Sequence, residues 1–306
     1  MMLRWVISLL FLLPVHSLPI AEQDDNFRRC EQHHEDNPDL ALQYCTAAIQ
    51  SGRLSDEQAA NALNFRGRAL TTKGDYDRAI QDFKQALSLK PHDAATHNNL
   101  GVALGKKGDL EGAFREYQEA LRIKPDYAEA HSNLGANLAR KGDLAGGINE
   151  FREALRLDAE NADAHYNLGE ALARKEDLDG AIVEFREALR IKPTFAIAHY
   201  DLGTALDLKN DADGAVREYQ EALRAKPDFF EAHHGLGYVL KEKGDLDGAI
   251  REYREALRIM PGSANAHYNL GVALTAKGSK AEAAHEFAEA QRLDPRLKPP
   301  ADNPRQ

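Results

Sequence analysis

His, Tyr and Asn recur together in this chain at fixed distances. AHYNLG stands at Ala164–Gly169 and again at Ala266–Gly271, and THNNLG, AHSNLG, AHYDLG and AHHGLG begin at Thr96, Ala130, Ala198 and Ala232. Imidazole, phenol and amide could ligate a metal, relay protons or hold a substrate. The six histidines, His97, His131, His165, His199, His233 and His267, are 34 residues apart. Copies of such a unit pack at roughly 8–10 Å, whereas zinc needs its donors about 2 Å from one ion. The ladder therefore cannot converge on a metal. Each histidine shares a helical stripe with a Leu-Gly pair, which assigns it to packing. Serine-hydrolase, zinc-protease and phosphate-loop motifs are missing, so neither catalytic residues nor a cofactor or metal is expected. The remaining acidic residues read as a solvated face with Lys or Arg nearby.

The elements that place these residues follow from the spacing. The 34-residue period starts at Glu57 and continues from Pro91, Pro125, Ala159, Pro193, Pro227 and Pro261, seven copies without insertion or deletion to Asp294. In the copy from Pro91, His97, Leu100, Gly101 and Leu104 fall at i, i+3, i+4 and i+7, one face of a helix. KKGD at Lys106–Asp109 breaks it, with Asp109 placed to cap a second helix. Leu110, Ala113, Tyr117, Ala120, Leu121 and Ile123 then share a face until Lys124-Pro125. A helix pair of this kind buries its stripe only by stacking on its neighbours.

Period, Leu-Gly, Ala with an aromatic, and the closing Pro together resemble the tetratricopeptide repeat over residues 57–294. The resemblance implies an all-α fold, a right-handed α-solenoid of stacked antiparallel helix pairs. Gly101 and Ala113 would let the two helices of a copy approach closely. Some copies depart from the pattern: Ala159 replaces the closing Pro, Glu176 and Asn210 replace the turn Gly, and Gly147 replaces the small Ala. Gln291 stands where six copies have Leu, as befits a last copy with an uncovered face. Gly112, Gly146, Gly180, Gly214 and Gly248 repeat inside the second helix, where glycine costs about 1 kcal/mol against alanine, and the sequence offers no reason for them.

The ends differ from the repeats. Residues 1–21, with Arg4 before an apolar run from Trp5 to Val15, read as a signal peptide cleaved after Ala21 or Ser17; an uncleaved anchor is the alternative. Residues 22–56 read as a divergent N-terminal helical unit. Cys30 and Cys45 flank its Asn37-Pro38 turn at equal distance, which predicts a disulfide in an oxidising compartment, with a reactive free thiol as the alternative. Closing that 15-residue interval contributes about 3 kcal/mol on the loop-entropy model. Ser55 and Gln58 form a capping box, and residues 295–306 read as a disordered tail.

The 306 residues carry a formal charge of −10, and loss of residues 1–21 would leave −11. That balance argues against binding nucleic acid through phosphates or adhering to an anionic membrane. No membrane insertion is expected after signal cleavage. An exported protein, periplasmic or secreted from a bacterium, is the expectation, by likeness to exported bacterial tetratricopeptide proteins.

The first helices of tetratricopeptide solenoids line a concave groove, and Asn99, Asn133, Asn167 and Asn269 lie about 200° from the histidines, facing it. Asp201 and Gly235 hold the same register. The repeats are similar to those of O-GlcNAc transferases, whose asparagine ladder holds peptide backbone; no transferase domain follows here. Lys106, Arg140 and Arg174 continue the stripe, then Leu208, Glu242 and Ala276; with Ile197, Tyr238 and Val272 the later half is more apolar. These residues imply a protein or peptide ligand with an acidic part and an apolar part. A carboxylate clamp for chaperone tails is excluded, because its first Lys position holds Asn64, Asn98, Ser132, Tyr166, Tyr200, His234 and Tyr268. A substrate-recognition accessory of a separate glycosyltransferase-like enzyme and a structural assembly component are the other readings.

Overall fold

The computed structural model describes residues 20–299. The expected leader lies outside them except for Ile20 and Ala21, which begin the first helix, and the tail lies outside them beyond residue 299. Sixteen helices and no strand occur among the described residues. The chain divides into two compact units, one ending at Pro125 and one beginning at Asp126.

The first unit holds α1 (Ile20–His33), α2 (Pro38–Gln50), α3 (Asp56–Thr72), α4 (Tyr76–Leu89), α5 (Ala94–Lys107) and α6 (Leu110–Ile123). Cys30 and Cys45 are joined by a disulfide between α1 and α2, both fully buried. Pro38 opens α2, and the Asn37 side chain accepts from the amides of Asp39 and Leu40, so the turn that aligns the cysteines is fixed by its own residues. The Ser55–Gln58 capping box opens α3 with both reciprocal bonds present.

The second unit holds α7 (Ala128–Lys141), α8 (Leu144–Leu157), α9 (Ala162–Arg174), α10 (Leu178–Ile191), α11 (Ala196–Leu208), α12 (Ala212–Ala225), α13 (Phe230–Glu242), α14 (Leu246–Ile259), α15 (Ala264–Lys277) and α16 (Lys280–Leu293). Each odd-numbered helix packs on the helix that follows it, forming a hairpin, and each hairpin packs on the next. Successive first helices also touch one another, α7 on α9 and so on to α15, whereas successive second helices do not. The first helices therefore form the inner face of this stack.

One close approach recurs in the seven hairpins from α3–α4 to α15–α16. Gly67, Gly101, Gly135, Gly169, Gly203, Gly237 and Gly271 each lie under the Phe or Tyr ring of the facing helix, where a Cβ would stand 2.6–3.0 Å from ring carbon. Around these contacts a continuous core runs from Ile148 and Phe151 to Leu236 and Val239 in the second unit. The sequence departures leave the architecture intact. Helix α8 ends at the usual register without proline, since the Asp158 amide still bonds Ala154. Glu176 and Asn210 take φ of 65° and 63° in place of glycine. Gln291 is exposed.

The five second-helix glycines have a reason after all. Their amides, at Gly112, Gly146, Gly180, Gly214 and Gly248, donate to the N-cap carboxylates of Asp109, Asp143, Asp177, Asp211 and Asp245 at 2.8–3.0 Å. A Cβ there would collide with that carboxylate. Arg78 occupies the position in the first copy, and its cap bond to Asp75 lengthens to 3.3 Å.

Candidate functional site

Two adjoining cavities open on the inner face of the second unit. The first, about 200 Å³, is lined by Ala136, Ala139, Arg140, Phe151, Asn167, Glu170, Ala171 and Arg174. The second, about 250 Å³, is lined by Glu170, Ala173, Arg174, Leu178, Phe185, Asp201, Thr204, Ala205 and Leu208. Glu170 and Arg174 form the partition. Both linings are mostly apolar; Arg140 and Asn167 are the polar groups particular to the first, whereas Asp201 and Thr204, with the larger Leu178, Phe185 and Leu208, are particular to the second. The small residues Ala136, Ala139, Ala173 and Ala205 leave the space open where neighbouring first helices would otherwise fill it with side chains.

The asparagine register does not behave as one ladder. Asn99 donates to Asn64 at 3.4 Å, and Asn269 bonds His234 Nε2 at 2.9 Å. Asp201 accepts from the Tyr166 hydroxyl at 2.8 Å. In each case the partner lies 35 residues earlier, on the preceding first helix. The partner position is the one whose residues exclude a carboxylate clamp, so that position and the asparagines form a seam between copies. Asn133 is half-buried at the same register. Asn167 is half-buried, lines the first cavity, and has no hydrogen-bond partner among the described residues.

The cationic stripe divides as well. Arg140 and Arg174 are exposed at the cavities, and Arg174 is steadied by a 3.3 Å bond from its guanidinium to the Ala139 carbonyl. Lys106 is an exposed residue of the first unit. Tyr238 is exposed farther along the inner face, with the Lys241 ammonium 5.1 Å from its ring centroid. Leu208 is 63% exposed at the rim of the second cavity.

Electrostatics add a group that sequence reasoning placed only in the register. Burial raises the Asp201 carboxyl to about 6, against the stabilising bond from Tyr166. Burial also raises the Tyr166 phenol, helped by the Asp201 charge. Asp201, with Glu170 and Thr204, lines the second cavity, and Tyr166 holds Asp201 from the preceding first helix. Its signal in the sequence was the single Asn-to-Asp change at Asp201 opposite Tyr166.

The histidines are packed as expected but have a polar partner. Nδ1 of His97, His131, His165, His199, His233 and His267 lies 2.6–2.7 Å from Glu116, Glu150, Glu184, Glu218, Glu252 and Glu286. Those six glutamates are correspondingly not part of a solvated face. No cluster of three or more potential metal ligands occurs among the described residues, and no described helix is long and apolar enough to cross a membrane.

Stacked hairpins with an open inner face define a helical-repeat protein. Models of the tetratricopeptide repeat match residues 67–108, 103–142, 208–244 and 237–278, with related models at 132–194 and 264–297. The chain belongs to the tetratricopeptide-repeat family. Among solved structures it is similar to YrrB, a TPR protein with an unusual peptide-binding site, at 27% identity and a TM-score of 0.53, covering 58% of this chain and 92% of that one. MamA is similar at 27% identity and 0.51, covering 56% and 94%. Pseudomonas aeruginosa pilF shares the fold at 20% identity and 0.63, covering 68% and 95%. No curated protein matches the chain.

Proposed function

We propose that this protein is a non-enzymatic scaffold that holds an extended peptide segment of a partner protein against the inner face of its second unit. The segment carries an acidic side chain for the Arg140–Asn167–Arg174 compartment and an aliphatic one for the Leu178–Phe185–Leu208 compartment. The observation that carries this reading is the pair of adjoining cavities, with Arg140 and an unpaired Asn167 lining the first and Leu178, Phe185 and Leu208 lining the second. An amide both donates and accepts, which suits peptide backbone, and two guanidiniums suit a carboxylate. Neighbouring first helices stand roughly 8–10 Å apart, so the acidic and aliphatic residues are about three positions apart in an extended chain. The peptide-binding site named for YrrB supports the class of ligand.

The setting we propose is the bacterial cell envelope. The signal-like residues 1–21 and the buried Cys30–Cys45 disulfide both support it, since such bonds persist in oxidising compartments.

Selection from a displayed random-peptide library tests the ligand. Wild-type protein is expected to enrich peptides with an acidic residue two or three positions from an aliphatic one. Arg140→Glu with Arg174→Glu is expected to lose those peptides, with helical circular dichroism unchanged. Enrichment of the same peptides by both proteins would overturn the assignment.

A further inference from the structure

The six His–Glu pairs raise a question of proton count. Nε2 of His97, His165, His199, His233 and His267 lies 3.0–3.2 Å from the backbone carbonyl six residues earlier. A carbonyl oxygen only accepts, so Nε2 carries a hydrogen. Nδ1 of the same rings faces a carboxylate oxygen at 2.6–2.7 Å. A bare Nδ1 would set its lone pair against an anionic oxygen. A second proton must therefore lie between ring and carboxylate, making a charge-assisted bond. His131 has the same Nδ1 contact, to Glu150 at 2.6 Å.

We infer that each His–Glu pair is assembled around a bound proton, so that the repeats are bolted by protonated histidines and loosen as the pH rises past neutrality. With its proton, the pair is an imidazolium and a carboxylate of zero net charge. When the proton passes to water, the pair becomes a neutral ring against a carboxylate, with a net charge of −1 and no donor between them. Counting the six as charged raises the formal −10 of the chain to −4, which reduces self-repulsion in the folded state.

The groups facing each ring act in the same sense. His97 faces Glu116 and Glu119, His199 faces Glu218 and Glu221, and His233 faces Glu252 and Glu255, with Pro91, Pro193 and Pro227 supplying the carbonyls. Burial is the largest single influence on these three rings and lowers their pKa. The glutamate bond, the carbonyl bond and the carboxylate charges together outweigh it, and all three are raised. Glu153, Glu187 and Glu289 lie near His131, His165 and His267 in the same way, and His285 lies beside Glu286. The second glutamate of each set is held by an arginine three residues on: Arg122, Arg156, Arg190, Arg224, Arg258 or Arg292.

The sign follows. Unfolded histidines titrate near 6.5, and the folded values of His97, His199 and His233 lie above that. The folded state therefore retains protons that the unfolded state has lost. The stabilisation is complete below about 6.5 and is lost as pH climbs through the folded values. Two groups act elsewhere. Asp201, raised to about 6, makes its change below this window. Burial lowers His234, so its effect runs the other way, but it is one ring.

Two measurements on the full chain decide the matter. With 15N-labelled histidine, the rings of His97, His199 and His233 should keep both nitrogens protonated to a higher pH than histidine in the urea-unfolded chain. A bare Nδ1 on these rings at pH 6.5 would overturn the inference. Glu116→Gln, Glu218→Gln and Glu252→Gln together give three pairs an amide that can donate to a neutral Nδ1. The wild-type urea midpoint should fall between pH 6.5 and 8.5, and the triple variant should lose most of that fall. An equal fall in both proteins refutes the role of the pairs. Should the variant not fold, the ring-nitrogen titration of the wild type decides alone.

Discussion

The first full copy and the six that follow it close the same joint with different bases. Asp82 on α4 and Glu218 on α12 stand at one register of their copies. Glu218 is held by His199 from the facing first helix. Asp82 is held by Arg66, through two bonds of 2.7 Å. Arg66 lies three residues later in its copy than the histidine register, where Leu63 is buried instead. In the copy from Pro193 the order is reversed, with His199 polar and Leu202 buried. Polar and apolar residues have exchanged places across one helical turn, and the acid has shortened from Glu to Asp. The hairpin thus requires an acid on its second helix anchored by a base on its first, while the choice of base sets its dependence on protons. Arginine stays charged at any pH the folded protein meets; histidine does not.

The sharpest way to break this comparison is at Asp82, whose side chain is 8% exposed. Arg66→Met leaves that carboxylate buried without its base, which costs about 3–5 kcal/mol. Urea unfolding at pH 7 checks it, and a loss below about 1 kcal/mol would mean that water replaces the guanidinium. A graft sharpens the same point with a smaller effect. Replacing His199→Leu, Leu202→Arg and Glu218→Asp installs the first copy's lock in a later one. The protein should keep its helical signal and lose that copy's share of the stability that disappears as pH rises from 6.5 to 8.5. Unchanged pH dependence would show that the histidine contributes packing alone.

The turn gives the smallest test. The first copy turns on Gly74 at φ 81°, whereas Glu176 holds 65° and Asn210 holds 63°. A left-handed conformation costs an ordinary L residue about 1–2 kcal/mol, and Asn tolerates it better. Glycine removes that strain but adds freedom to the unfolded chain, worth about 0.4–1 kcal/mol. Glu176→Gly should therefore stabilise by up to about 1 kcal/mol, and Asn210→Gly by only a few tenths. Thermal midpoints compare them, and an equal gain in both would contradict the account.

The hairpins were readable in the sequence because period, stripe and turn residues all point to one structure. The Leu-Gly and aromatic positions meet as the spacing required, with Gly169 under the Phe185 ring. The sulfurs meet because the Asn37 cap fixes the turn between them. Other features depend on the partner across the hairpin or on the next copy, and these were less visible. The Glu184 register looked solvated because its neighbours on α10 are, but a carboxylate opposite His165 is not. The cap glycines make sense only once the Asp carboxylate three residues earlier is seen folding back over them. The asparagines separated for the same reason: Asn99 and Asn269 meet a polar side chain on the preceding first helix, whereas Asn167 meets Ala and Arg and stays unpaired. The amphipathic period fixes which face a residue takes, and the neighbour decides whether it is engaged there.

The central claim is that the inner face of the second unit is where a partner sits. A photoreactive amino acid placed at Leu208, on the rim of the second cavity, tests it against the same probe at Val183, an exposed residue of α10 on the second-helix side. Irradiation in living cells should give a discrete adduct from position 208 that Arg140→Glu with Arg174→Glu abolishes, and none from position 183. An adduct from 183 with none from 208 would place the partner on the other face and contradict the account.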